Sequence, residues 1–192
     1  MTVLSTGFLV GLALAEFCVA SNIGVDAKLG DVFAVGVRPM SVSIAELVAE
    51  GRDRSATFRS LLEGLNVSGW IVFVQEGACR LPRVRGCLLH SVGMFDGRRY
   101  LRIVLSGPPA SRDETIATIG HELQHAVEVV DDPSITKASD ISDLYRRIGY
   151  VSMKTASGQL YETRSAVRTG VAIREELRRE SRRAGHGPTE PR

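Results

Sequence analysis

Apolar and polar positions separate cleanly at helical spacing between residues 111 and 131. At about 100° per residue, one face carries Ile116, Ile119, Leu123, Val127 and Val130. The opposite face carries Thr118, His121, Glu122, His125 and Glu128. Ser111 with Glu114 has the form of a capping box, and Pro133 cannot continue a helix. The pattern predicts a helix from near Ser111 to about Asp132, with one face buried and one face polar.

Strand-like and helical runs precede this helix. Short apolar runs at 70–74, 84–92 and 100–105 predict three strands, and the Asp-Gly pair at 96–97 predicts a hairpin between the last two. Before them, one short helix is predicted to open at Ser43 and a second to run from 53 to 64. Together these elements indicate an α+β fold with a small mixed sheet of about three to four strands packed on helices.

The chain after Pro133 is predicted to be helical. One helix is expected from 140 to 148, and a long one from 157 to 183 that ends in a solvated run of Arg and Glu. We expect residues 23–183 to form a single domain and residues 184–192 to be a disordered tail. Residues 1–22 have an apolar run without a preceding positive charge, which fits either a signal peptide or a buried N-terminal helix.

Composition narrows the classes of protein. The 192 residues are 44% hydrophobic and 24% charged, as in an ordinary globular domain. A net charge of +2 gives no reason to expect nucleic-acid binding, and the N-terminal apolar run is too short to span a bilayer. Composition determines neither the oligomeric state nor the localisation. Export to the periplasm or medium and a cytoplasmic location are both compatible with it.

Two cysteines flank a loop rich in turn-forming residues. Cys79 and Cys87 are close enough in sequence to close a disulfide across a hairpin. The alternative is a pair of buried thiols, which are common in protein cores. The disulfide is favoured if the chain is exported and disfavoured in a reducing cytosol.

The strongest chemical signal is the sequence His-Glu-Leu-Gln-His at 121–125, an HExxH motif. Residues four apart share one helix face, so the imidazoles of His121 and His125 can bind a single zinc ion. Glu122 then reaches a water molecule on the metal as a general base. The alternative for such a pair is two surface histidines without a metal.

On this motif the chain resembles the zincin metallopeptidases, and among them small gluzincins. The resemblance implies zinc held by His121, His125 and a third protein ligand, with hydrolysis of peptide bonds in a peptide or protein substrate. The gluzincin form places the third ligand on a later helix, where Glu162 is the match; Gly158, Ala166 and Thr169 would share its face and allow close approach. The metzincin form would use Asp131, although Glu128 replaces the glycine of that pattern.

Further roles follow from the same resemblance. Tyr145, Tyr150 and Tyr161 are candidates to stabilise an oxyanion, Glu128 is placed to orient an imidazole, and the strand at 100–105 is expected to bind substrate as a sheet edge. The alternative function is a non-catalytic, zinc-stabilised binding module, in which Asp131 or His90 would complete a closed site. A third reading is a metal-free globular domain.

Overall fold

The structure is a computed structural model that describes residues 36–81, 84–107, 111–155 and 158–185. Within these residues the chain forms a mixed sheet and a layer of helices. The elements in order are β1 (Val37–Pro39), α1 (Val42–Arg54), α2 (Ala56–Val67), β2 (Ile71–Glu76), β3 (Gly86–Leu88), β4 (Gly93–Phe95), β5 (Arg98–Leu105), α3 (Arg112–Val130), α4 (Ala138–Ile148), β6 (Tyr150–Thr155), β7 (Gly158–Glu162) and α5 (Arg164–Gly185).

The main sheet has the order β1-β2-β5, with β3 and β4 both on the far side of β5. The pairs β1–β2 and β2–β5 are parallel, whereas β3 and β4 run antiparallel to β5. The α+β class and the mixed sheet are confirmed. The sheet has five strands instead of three to four, because β1 lies in a stretch without predicted structure and because the run predicted at 84–92 forms only the short β3, with β4 following as a separate strand.

The predicted Asp-Gly turn joins β4 to β5. Phe95 is opposite Arg98, and the two turn residues have positive φ, 50° at Asp96 and 69° at Gly97. Positive φ at both central positions defines the type I′ turn, whose twist matches that of the flanking strands.

One face of the sheet and the inner faces of the helices form the core. Val72, Val74, Leu101 and Ile103 on the strands are fully buried and belong to one cluster with the helical side chains. The apolar face predicted for α3 lies in this cluster, with Ile116, Ile119 and Leu123 fully buried and Val127 and Val130 partly buried. Burial of each large side chain contributes about 1.5–3 kcal/mol, so α3 is held firmly from the core side.

Serine side chains cap the N-termini of three helices. Ser41, Ser55 and Ser111 each accept a hydrogen bond from the backbone N–H three residues later. The first helix is therefore capped by Ser41, two residues before the predicted Ser43. At Ser111 the carboxylate of Glu114 pairs with Arg174 at 2.8 Å, so only the serine half of the predicted capping box is seen.

The segment before α5 is a strand, so the predicted glutamate-bearing C-terminal helix is wrong at its beginning. Residues 158–162 form β7, which pairs with β6 and places Glu162 opposite Tyr150. Gly158 has φ of 137°, which is incompatible with a helix. Glu162 therefore ends a strand, and α5 begins two residues later at Arg164.

Cys79 and Cys87 form a disulfide, with their Cα atoms 6.1 Å apart. Residues 1–22, for which a signal peptide or helix was expected, lie outside the described residues, as does the predicted tail beyond Gly185. None of the helices described is both long and apolar enough to cross a membrane.

Candidate metal centre

Helix α3 carries the two histidines and lies very close to α5. A Cβ added at Gly120 would be 2.2 Å from Cδ1 of Ile173, and one added at Gly170 would be 3.4 Å from Cβ of His121. A side chain at Gly120 would therefore collide with Ile173, whereas a Cβ at Gly170 would make an ordinary van der Waals contact. The close approach predicted for the C-terminal helix is present, with Gly120 on α3 and the buried Ala166 on α5, whereas the predicted Gly158 lies on a strand.

The hairpin β6–β7 brings the third side chain to the histidines. Oε2 of Glu162 lies 3.2 Å from Nε2 of His121, and Oε1 lies 3.1 Å from Nε2 of His125. Gly149 packs against the end of β7. A Cβ at Gly149 would lie only 2.9 Å from the carbonyl oxygen of Glu162. The end of α4 thus packs directly on the residue that presents the carboxylate.

His121, His125 and Glu162 form a group that could hold a metal ion, with one ligand atom from each within 4.8 Å of the others. At zinc–ligand distances of about 2.0–2.1 Å, tetrahedral geometry requires ligand atoms roughly 3.3 Å apart, close to the separations seen. Two imidazoles and one carboxylate are a donor set of catalytic zinc sites, which keep one position open. The residues present therefore fit a zinc ion.

Charge and burial shape the chemistry of the group. Burial raises the pKa of Glu122, whose side chain is 5% exposed. Burial opposes the charging of His125, but hydrogen bonds to Glu128 and Glu162 outweigh it and raise the pKa of the metal-free imidazole to about 10. For Glu162 the bonds to the two histidines outweigh burial and lower the pKa.

Strand β3 holds the carboxylate of Glu122. The backbone N–H of Leu88 donates to Oε2 of Glu122 at 2.8 Å. Gly86 makes this approach feasible, because a Cβ there would lie 2.7 Å from Cγ2 of Thr118 and 3.0 Å from Cγ of Glu122. One carboxylate oxygen is thereby fixed by the backbone of β3.

A second set of contacts supports the ligands. Nδ1–H of His125 donates to Oε2 of Glu128 at 3.0 Å, as predicted for Glu128. The hydroxyl of Thr163 donates to Oε1 of Glu128 at 2.7 Å and accepts from the N–H of Ala166 at 3.1 Å. Thr163 therefore caps α5 and joins the strand that carries Glu162 to the support of His125. A threonine immediately before a helical run is a recognisable capping signal, but it does not reveal the contact with Glu128.

Several candidates from the sequence take other roles. Asp131 ends α3 as its C-cap and is not in the metal-holding group. Tyr145 is buried and donates its hydroxyl to the carbonyl of His125 at 3.1 Å, and Tyr150 is 45% exposed. Tyr161 and His90 line the cavity beside the ligands. His90, the other candidate for completing a closed site, is not in the metal-holding group; it stacks on Tyr145, and burial and the nearby His125 lower its pKa.

The ligands lie in an open groove with two arms, which share Gly86, His121, Glu122 and Glu162. The first arm, about 220 Å³, is lined by residues that include Leu88, His90, Leu160 and Tyr161. The second arm, about 340 Å³, is lined by residues that include Arg85, Thr118, Val171 and Arg174. The groove leaves room for an extended ligand across the metal group.

The sheet edge beside the groove is β3 and not the predicted strand at 100–105. Strand β5 is interior, paired with β2 on one side and with β3 and β4 on the other. Arg85 and Leu89 bond to β5 through their backbone groups. In an antiparallel pair the backbone groups of the intervening Gly86 and Leu88 then point away from β5, toward the groove.

Comparison with known proteins adds no identification. No protein-family model matches the chain. Neither a curated protein nor a solved structure matches it.

Proposed function

We propose that the chain is a zinc-dependent hydrolase of peptide bonds. The observation that carries the proposal is the buried carboxylate of Glu122, which lies beside a His-His-Glu group in an open groove. A structural metal site needs no general base, and burying a carboxylate without a charged partner is unfavourable. The burial of the Glu122 carboxylate is explained if it acts as a general base beside a catalytic zinc ion.

Zinc bound by His121, His125 and Glu162 would polarise the scissile carbonyl and lower the pKa of a bound water molecule. Glu122 accepts the proton of the attacking water and later donates it to the leaving amine. Burial raises its pKa, which makes the carboxylate a stronger base, and a pKa nearer the operating pH balances proton uptake against proton release. The N–H of Leu88 keeps the carboxylate in position throughout.

The edge of β3 is the surface on which an extended substrate would align. The outward backbone groups of Gly86 can bond to a peptide strand, which then lies over Glu122 and the metal ligands. His90 and Tyr161 face this path from the first arm of the groove. His90 could donate a hydrogen bond to the oxygen that becomes negative during the reaction, and Tyr161 could do so by exchanging its present bond to Oε1 of Gln159.

The first experiment compares zinc content and hydrolysis of fluorogenic peptides for the wild type and Glu122→Gln. We expect about one zinc per chain in both proteins and a loss of kcat of at least about 100-fold in the variant, because a general base contributes 10²–10⁴ to the rate. Glu175→Gln, an exposed change on α5, is the matched control. Equal hydrolysis by the wild type and Glu122→Gln would remove the mechanism.

The alternative of a non-catalytic zinc module needs a fourth protein ligand. Within the described residues the metal-holding group has three members and includes neither Asp131 nor His90. Nδ1 of His90 instead bonds to the hydroxyl of Ser142 at 3.1 Å. The open groove therefore favours the hydrolase.

A further inference from the structure

A separate cavity of about 370 Å³ lies beyond the second arm of the groove, between α1, the ends of β2 and β5, and the first turns of α3. We call it the far chamber. Its accessible wall is mostly apolar. The side chains and backbone that line it are Ser43, Ile44, Leu47, Glu76, Arg85, Leu105, Ser106, Gly107, Arg112, Thr115 and Thr118.

The far chamber adjoins the groove of the metal centre. Arg85 and Thr118 line both cavities, so the two lie side by side at these residues. Arg85 is exposed, and no carboxylate among the described residues pairs with it. Arg112, on the opposite rim, is neutralised by Glu50 at 2.8 Å. A substrate on the edge of β3 that extends past Arg85 and Thr118 would reach the chamber.

Helix α3 provides a scale for the distance. Thr115, which lines the chamber, precedes His121 by six residues, which is about 9 Å along the helix at a rise of 1.5 Å per residue. An extended peptide advances about 3.3 Å per residue. The chamber thus lies about three substrate residues from the metal.

The walls match a bulky apolar side chain. Leu47 and Leu105 are partly buried and pack against the core from the chamber side, and Ile44 is 1% exposed. A leucine or phenylalanine side chain entering here would exchange water for these surfaces, which is favourable in proportion to the apolar area buried. A serine or a charged residue would gain little.

We propose that the far chamber is a specificity subsite, an inference that rests on the proposed peptidase function. It takes a bulky apolar side chain located about three residues from the scissile bond of a peptide substrate. The metal group determines where cleavage occurs, and the chamber selects which peptides are placed there.

Binding tests the subsite without any need for turnover. Zinc-loaded Glu122→Gln protein is titrated with fluorescent octapeptides in which leucine or serine is placed at each position in turn. At one position we expect leucine to bind at least about tenfold more tightly than serine, as burial of that side chain predicts. Thr115→Phe, which fills the chamber, and Leu47→Gln, which makes its wall polar, should reduce the preference to less than about twofold.

Val42→Gln is the matched control, on the same helix as Leu47 but 73% exposed and outside the chamber. It should retain the preference. Equal affinity for the leucine and serine peptides, or an unchanged preference in both chamber variants, would overturn the subsite. Preferential binding without hydrolysis by the wild type would refute the peptidase and leave the chamber as a peptide-binding site, so the two proposals fail separately.

Discussion

Glu128 should control how tightly the centre binds zinc, although it is not a ligand. Its carboxylate accepts the Nδ1–H of His125 through Oε2 and the hydroxyl of Thr163 through Oε1. The first bond fixes the imidazole with Nε2 toward the metal, and the second positions the residue next to Glu162. Replacing Glu128 should therefore disturb two of the three ligands at once.

The size of the effect depends on which bonds remain. Glutamine keeps one acceptor oxygen, so Glu128→Gln can accept from His125 or from Thr163 but not from both. Loss of an outer hydrogen bond to a metal-bound histidine typically weakens metal affinity 10–100-fold. We expect about 10-fold weaker zinc binding for Glu128→Gln and nearer 100-fold for Glu128→Ala, which is about 1.4 and 2.7 kcal/mol.

Zinc affinity can be measured by competition with a chromophoric chelator at pH 7.5. Glu175→Gln, whose side chain is 62% exposed on α5, is the control and should bind zinc like the wild type. Circular dichroism checks that each variant is folded. Identical zinc affinity for Glu128→Ala and wild type would refute the role of this residue.

The remaining predictions concern β3, protons and the disulfide. Gly86→Ala should lower kcat while zinc content stays at one per chain, because the new Cβ displaces Glu122; unchanged kcat would contradict this. Metal-free His125 has a pKa of about 10 and is protonated at pH 7, so zinc binding should release about one proton. Titration calorimetry should show this release as a binding enthalpy that depends on the buffer. An enthalpy independent of the buffer would contradict the prediction. Cys79→Ser should lower the free energy of unfolding in urea by about 2.5 kcal/mol, the chain-entropy value for so short a loop; an equal midpoint and slope would exclude that contribution.

Local rules were sufficient to predict α3 and the pair of histidines. The serine cap, the apolar spacing and Pro133 act within a few residues of each other, and the i,i+4 placement of His121 and His125 follows from helix geometry alone. The start of α5 was different. Helix-favouring composition extends back to residue 157, and only the conformation of Gly158 and pairing with β6 make that segment a strand. Such pairing is tertiary context, which overrides local propensity.

Glu162 joined the predicted group although the element carrying it was wrong. The prediction required only that the Glu162 carboxylate come close to the two histidines. A helix or a hairpin can bring it there. The support from Leu88, Gly86 and Thr163 was not foreseen, because each acts through a backbone group or a cap that reaches a residue distant in sequence. The far chamber likewise depends on how α1 packs against β5, which no local pattern reveals.

The placement of Glu162 at the end of a hairpin has a consequence for ion capture. Both imidazoles project from a helix packed in the core, whereas most of β6 is exposed to solvent. The two imidazoles are thus held from the core and the carboxylate from the more exposed hairpin, and all three already touch one another. An incoming ion has to replace the two contacts between Glu162 and the imidazoles, and its departure should restore them.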